Sequence, residues 1–289
     1  MTTPFERPAP SATVLAVTSG KGGVGKTNVT VNVALSLARL GLRVGILDAD
    51  FGLGNVDVML GLTPRNHVGH VLLGEASLAD IVMTGPLGIQ VIPASSGVQA
   101  MTCLTASQRM RLRDLLDQFR RQLDFLLIDT AAGISDNVIE TLCLAERVVL
   151  VTSLEPSSVV DAYATAKVLT QASPAIEIGV VVNGVRDGRE AGLAFRQLDM
   201  AATRFLGRSL RYYGFIAEDR AVRESVQAQR AVVDHLPQSA SSRCFRILAS
   251  RLAGLGRGPG GLRLAVGAAG VTVPAASTRA AATEVSRCA

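Results

Sequence analysis

The residues best able to do chemistry sit together near the start of the chain, in Gly20-Lys21-Gly22-Gly23-Val24-Gly25-Lys26-Thr27. This satisfies GxxxxGK[ST]. The glycines let backbone N–H groups wrap phosphate oxygens, Lys26 reaches the β and γ groups, and the Thr27 hydroxyl can ligate Mg²⁺. Lysine is otherwise scarce: of 29 basic residues only Lys21, Lys26 and Lys167 are lysines, and the first two lie five residues apart in this segment. Gly20, Gly22 and Gly25 also spell GxGxxG, with Asp48 near the spacing of a ribose-binding acid. That dinucleotide reading leaves Lys26-Thr27 unexplained and has no use for a second strand-end aspartate. A phosphate-binding loop is the better reading.

Two apolar runs further on end in acid. Ile46-Leu47-Asp48-Ala49-Asp50 closes the second strand-like run, and Leu126-Leu127-Ile128-Asp129 the fourth, followed by Thr130-Ala131-Ala132-Gly133. A carboxylate at such a place can hold Mg²⁺, directly or through water, beside a γ-phosphate. The competing reading is an aspartate that only caps the next helix. It weighs most against Asp48, which serves as a metal residue or merely supports the others.

These residues need elements to place them. Strand-like runs at 13–18, 43–48, 89–93, 124–129, 147–152, 176–182 and 210–216 alternate with helical patterns at 26–40, 105–122, 157–172 and 189–206. That alternation predicts an α/β fold with a mostly parallel sheet covered by helices on both faces. Ligands in such sheets bind at the carboxyl ends of the strands, where the loop and both acid-ended runs fall. With 289 residues and 48% hydrophobic content the chain can bury a large core. No run approaches the roughly 18 apolar residues of a membrane-spanning helix. The cysteines, Cys103, Cys143, Cys244 and Cys288, share no ligand spacing. We expect a leader at 1–12 without signal-peptide architecture, one domain at 13–253 and a disordered Gly/Ala/Pro-rich tail at 254–289. The tail carries four arginines against one glutamate, most of the net +5, so the charge argues little for nucleic-acid binding.

The run Lys21-Gly22-Gly23-Val24-Gly25-Lys26-Thr27 resembles the deviant phosphate loop of the MinD/ParA ATPases, whose additional signature lysine stands where Lys21 does. The resemblance extends over 13–252. Within that family, the stretches 48–57, 129–136, 155–164 and 229–233 are similar to the flagellar-number regulators. The resemblance implies a P-loop NTPase fold and a slow regulatory ATP hydrolase whose protomers dimerise face to face around ATP and Mg²⁺. By the same resemblance Lys21 acts across the dimer, Lys26 on the phosphates, Asp50 on the attacking water, and Thr27, Asp48 and Asp129 at the metal. Gly20, Lys21, Gly22, Gly23, Val24, Gly25, Lys26 and Thr27 then line the nucleotide with Glu155, and Asn183 reads the adenine. A turn asparagine is the plainer reading of Asn183, and a solvated acid that of Glu155. Ile216-Ala217-Glu218-Asp219 departs from the family's proline-containing adenine loop.

The partner implied is a flagellar transcription activator of the AAA+ type or another flagellar protein, from a cytoplasmic position, at the inner membrane surface or at the cell pole. A MinD-like division-site regulator and a ParA-like partition ATPase remain as alternatives. An iron–sulfur carrier needs cluster cysteines near the loop after Asp129, and none follows within ten residues. Phe245, Leu248, Leu252 and Leu255, with Arg243, Arg246 and Arg251 opposite, predict an amphipathic C-terminal helix. It either packs on the sheet, the preferred reading, or binds membrane weakly. The arginines at 109, 111, 113, 120 and 121 read as a solvated face.

Overall fold

The computed structural model describes residues 12–94 and 104–256. In chain order the elements are β1 (Thr13–Ser19), α1 (Lys26–Ala38), β2 (Val44–Ala49), α2 (Val56–Met59), α3 (Val68–Leu73), α4 (Leu78–Ile81), β3 (Met83–Thr84) and β4 (Gln90–Ile92). There follow α5 (Ala106–Phe119), β5 (Phe125–Thr130), α6 (Asp136–Leu142), β6 (Arg147–Thr152), α7 (Pro156–Ala172), β7 (Glu177–Val185) and α8 (Gly188–Leu206). The last are β8 (Arg211–Ala217), α9 (Arg220–Gln227), α10 (Val232–His235) and α11 (Ala240–Gly256).

The strands form one sheet in the order β3-β4-β2-β5-β1-β6-β7-β8. Every neighbouring pair is parallel except β3 with β4. The fold is the α/β architecture expected, and all seven expected strands are present. β3 is an addition, two residues paired antiparallel at one edge. Side chains alternate across each strand, so Val14 and Ala16 of β1 face one core and Leu15 and Val17 the other. The first core lies under α5 to α8, with Leu112, Leu116, Leu142, Leu169 and Leu198. The second lies under α1, α10 and α11, with Val31, Leu35, Val232, Phe245 and Leu248. Burial on both faces accounts for the unbroken apolar runs in the sequence.

Local signals set the ends of several elements. Thr105 Oγ1 accepts from the Gln108 N–H while the Gln108 side chain accepts from the Thr105 N–H, a capping box that starts α5. Asp187 accepts the N–H groups of Arg189 and Glu190 at the start of α8, which ends at Gly207 in the left-handed region. The arginines in and just after α5 are partly engaged: Arg109 pairs with Glu140, Arg120 with Asp117, and Arg111 donates to the Leu72 carbonyl of α3.

α11 settles the two readings of the C-terminal amphipathic pattern. Phe245, Leu248, Ala249 and Leu252 are fully buried on the sheet face beside α1. The opposite arginines are tied to carbonyls, Arg243 to Gln238, Arg246 to Pro237 and Arg251 to Tyr213. The apolar stripe is therefore spent on the core. The helix also runs to Gly256, past the boundary expected at 253, and Ala12 of the expected leader is buried. The rest of the leader and the tail from 257 lie outside the described residues. Among the described residues no helix is long and apolar enough to cross a membrane. If α11 is a core helix, Phe245→Ala should destabilise the chain by about 3–5 kcal/mol, read as a lower urea midpoint; a variant as stable as the parent would contradict this packing.

Candidate functional site

Parallel pairing puts the chemistry in one place. Val17 of β1 and Asp48 of β2 both stand in register with Asp129 of β5, so three strand ends meet at the carboxyl edge of the sheet. The glycine-rich loop leaves β1 there and turns into α1 at Lys26. Gly25, immediately before the helix, has φ 91°, a left-handed conformation, and a Cβ on it would lie 2.2 Å from Asn183 Nδ2. Only glycine fits on both counts.

Asp129 is the hub. Its Oδ2 accepts from Thr27 Oγ1 at 2.7 Å and from Lys26 Nζ at 3.2 Å, and its Oδ1 accepts from Thr30 Oγ1 at 2.7 Å. Asp129 and Lys26 are 1% and 8% exposed, so this is a buried ion pair with both carboxylate oxygens hydrogen-bonded. Thr30 was not among the residues expected at the site. Its signal was its position four residues after Lys26, one helical turn along the same face. Thr27 and Asp129 offer oxygen donors already in contact, a donor set that fits Mg²⁺.

Asp48, the third residue expected at the metal, is bonded to backbone. It is fully buried, and its Oδ1 and Oδ2 accept from the N–H groups of Asp50 and Val56, both at 3.1 Å. Burial first, and the Asp129 charge second, push its carboxyl up to about 8, against the pull of the two backbone N–H groups and of Lys26. Asp129 is raised in the same direction, by burial, with Lys26 as the largest opposing influence. Asp50 is half-buried at the mouth of this cluster and accepts from the Leu53 N–H at 3.2 Å.

Lys21 has partners different from those of Lys26. Its Nζ bonds Glu155 Oε2 at 2.5 Å and Ser157 Oγ at 3.1 Å, at the start of α7. Glu155 thus has a partner beyond solvent, and Ser157, within the 155–164 stretch but not named as a site residue, joins it. Asn183, at the end of β7, donates from Nδ2 to the Val24 carbonyl at 2.7 Å. A cavity of about 300 Å³ is lined by Lys21, Gly22, Gly23, Val24, Ser153, Leu154, Glu155, Asn183 and Gly184, beside the phosphate loop. Its volume reaches the small end of small-molecule pockets. The 216–219 stretch does other work: Asp219 caps α9 through Ala221 N–H and accepts from the N–H and hydroxyl of Ser241 at the start of α11.

Residues 11–253 match the ParA family, whose description is "NUBPL iron-transfer P-loop NTPase". The chain is 44% identical over 239 residues to the "Antiactivator FleN" of Pseudomonas aeruginosa, covering 83% of this chain and 85% of that protein. It is 31% identical to the "Flagellum site-determining protein YlxH" of Helicobacter pylori, over 82% of this chain and 81% of that one. Among solved structures, the cell-division ATPase MinD of Pyrococcus furiosus superposes with a TM-score of 0.72 at 27% identity, covering 84% of this chain and 99% of that chain. MinD of Pyrococcus horikoshii, complexed with Mg-ADP, gives 0.71 at 26% identity, over 85% and 99%.

The raised Asp48 carboxyl has a consequence for stability. Between its ordinary 3.8 and about 8, the folded chain holds a proton that the unfolded chain has released. Stability of the nucleotide- and metal-free protein should therefore be fullest at the acid end of that window and fall as pH rises through it. Thermal melts should show that decline in the parent and a flatter profile in Asp48→Asn; equal slopes would remove Asp48 as the cause.

Proposed function

The chain belongs to the ParA family of P-loop NTPases, and from that premise we propose that it is an ATP-dependent dimerising switch that regulates flagellar number and placement. The observation that carries the output is the 44% identity to a flagellar antiactivator over 83% of the chain. The flagellum site-determining relative points the same way.

The chemistry proposed is slow hydrolysis of ATP. The glycine loop and Lys26 hold the phosphates, and Lys26 leaves Asp129 for them. Thr27 and Asp129 would hold Mg²⁺, which would supply neutralisation of phosphate charge. Asp50 orients the attacking water and accepts its proton. Asn183 and the cavity beside it take the adenosine part. Lys21, whose side chain already lies outside its own phosphate loop, serves the nucleotide of a second copy. ATP then stabilises one assembly and hydrolysis releases it, a scheme suited to switching rather than to metabolism.

The ATP-bound dimer restrains a flagellar transcription activator of the AAA+ type, from the cytoplasm, at the inner membrane surface or at the cell pole. Superposition on MinD at a TM-score of 0.72 favours a second reading, a division-site regulator. The two differ in what a deletion strain shows.

Three outcomes test the proposal. Asp50→Ala should lower kcat by about a hundredfold or more while nucleotide still binds, because water orientation is lost and the phosphate contacts survive. Lys26→Ala should instead weaken nucleotide binding about ten- to a hundredfold, the loss of a charge-assisted contact. Fluorescent-nucleotide titration beside phosphate release separates them, and wild-type turnover in Asp50→Ala would remove that residue from the chemistry. In cells, deletion should give supernumerary flagella that Lys26→Ala fails to correct. Normal flagella with misplaced septa would establish the division reading instead.

A further inference from the structure

The loop that carries Asp50 is built around one carboxylate. Phe51 and Val56 are buried, at 5% and 0% exposure, while Leu53 between them is 76% exposed. The backbone therefore leaves the core, passes outward and returns within a few residues. Inside the bend lies the Asp48 carboxyl group, one oxygen on the N–H of Asp50 and the other on the N–H of Val56. Gly54 closes over it: a Cβ there would lie 2.7 Å from Asp48 Oδ2 and 2.3 Å from the Ala94 Cβ. The Leu53 N–H, held in the same bend, is the one that Asp50 Oδ1 accepts.

We propose that Asp48 is the positioning residue of this loop, an internal staple that fixes the Asp50 carboxylate, rather than a ligand of the metal. A buried carboxyl without a bonded cation is costly, and a leucine would fill the space at less cost. Among the described residues no cation is bonded to Asp48. What its oxygens do is accept two backbone N–H groups that a loop of this shape would otherwise leave unsatisfied. Each oxygen thus holds one N–H of its own loop, and the carboxyl group is tied to residues 50 and 56, whereas Thr27 and Asp129 are bonded to each other. Gly54 belongs to the same device, because any side chain there would displace the carboxyl group it covers. The kinetic part of this proposal rests on the ATPase reading above; the geometric part does not.

The test uses the full chain and two variants, Asp48→Asn and Gly54→Ala. Asparagine keeps the shape but sets an N–H₂ against one of the two N–H groups; alanine presses on the staple from outside. In nucleotide-free protein, amide hydrogen exchange of peptides covering 50–56 should quicken about tenfold or more in both, while peptides covering the phosphate loop exchange as in the parent. In the presence of ATP, kcat should fall about tenfold, with KM for ATP and half-saturating Mg²⁺ each within about threefold of the parent, as expected when an interaction of the transition state alone is lost. Unchanged exchange at 50–56 in both variants overturns the proposal. So does a half-saturating Mg²⁺ raised about tenfold in Asp48→Asn and unmoved in Gly54→Ala, the signature of a lost metal ligand. Should the parent itself fail to hydrolyse ATP, the ATPase reading falls and the exchange experiment still decides the staple.

Discussion

A buried ion pair between Lys26 and Asp129 organises the site. Neither charge, Asp129 at the end of a buried strand and Lys26 at the start of α1, could be buried without the other, because desolvation of one alone costs several kcal/mol. The pair is completed by the hydroxyls of Thr27 and Thr30, so one carboxylate draws the first turn of α1 against the end of β5. With β1 lying between β5 and β6, this also fixes where the phosphate loop begins and ends. The loop's shape follows from that spacing, closed on its other side by Asn183 holding the Val24 carbonyl.

The sheet was readable in the sequence because its strands are buried on both faces and appear as unbroken apolar runs. The elements that escaped were short. α2 and α4 have four residues each and β3 has two, too few for any period to show. β3 also reverses direction, which alternation of strand and helix does not foretell. The helix over 240–256 was legible as amphipathic, but not what it packs on. That is a property of α1 and the sheet, remote in sequence, and of carbonyls that happen to receive its arginines.

The site divides along the same line. Gly20 to Thr27 and Asp129 were legible because local spacing alone dictates their chemistry. Thr30 was legible in principle, one helical turn after Lys26. The bonds from Lys21 to Glu155 and Ser157 and from Asn183 to Val24 join residues more than 130 positions apart, which no spacing rule reaches. Asp48 shows a subtler limit. Its residue type and place after a strand suit a metal ligand equally well, and its bonds to the N–H groups of Asp50 and Val56 could not be read from either.

The two lysines of the loop differ in what it costs to move them, and that difference bears on how such a protein could switch. Lys21 and Glu155 are 40% and 65% exposed, so their contact contributes about 0–1 kcal/mol and weakens with salt. Lys26 is buried against Asp129, where breaking the pair without compensation costs about 3–5 kcal/mol. Lys21 can therefore change partners at little cost, whereas Lys26 cannot leave Asp129 without a large penalty unless another negative charge replaces the carboxylate. Nucleotide arrival is then the event that can disturb the centre of the site, and surface encounter the event that can redirect Lys21. Under the proposed ATPase reading, binding then precedes assembly, because Lys21 would find phosphate charge on a second copy only once nucleotide is bound there.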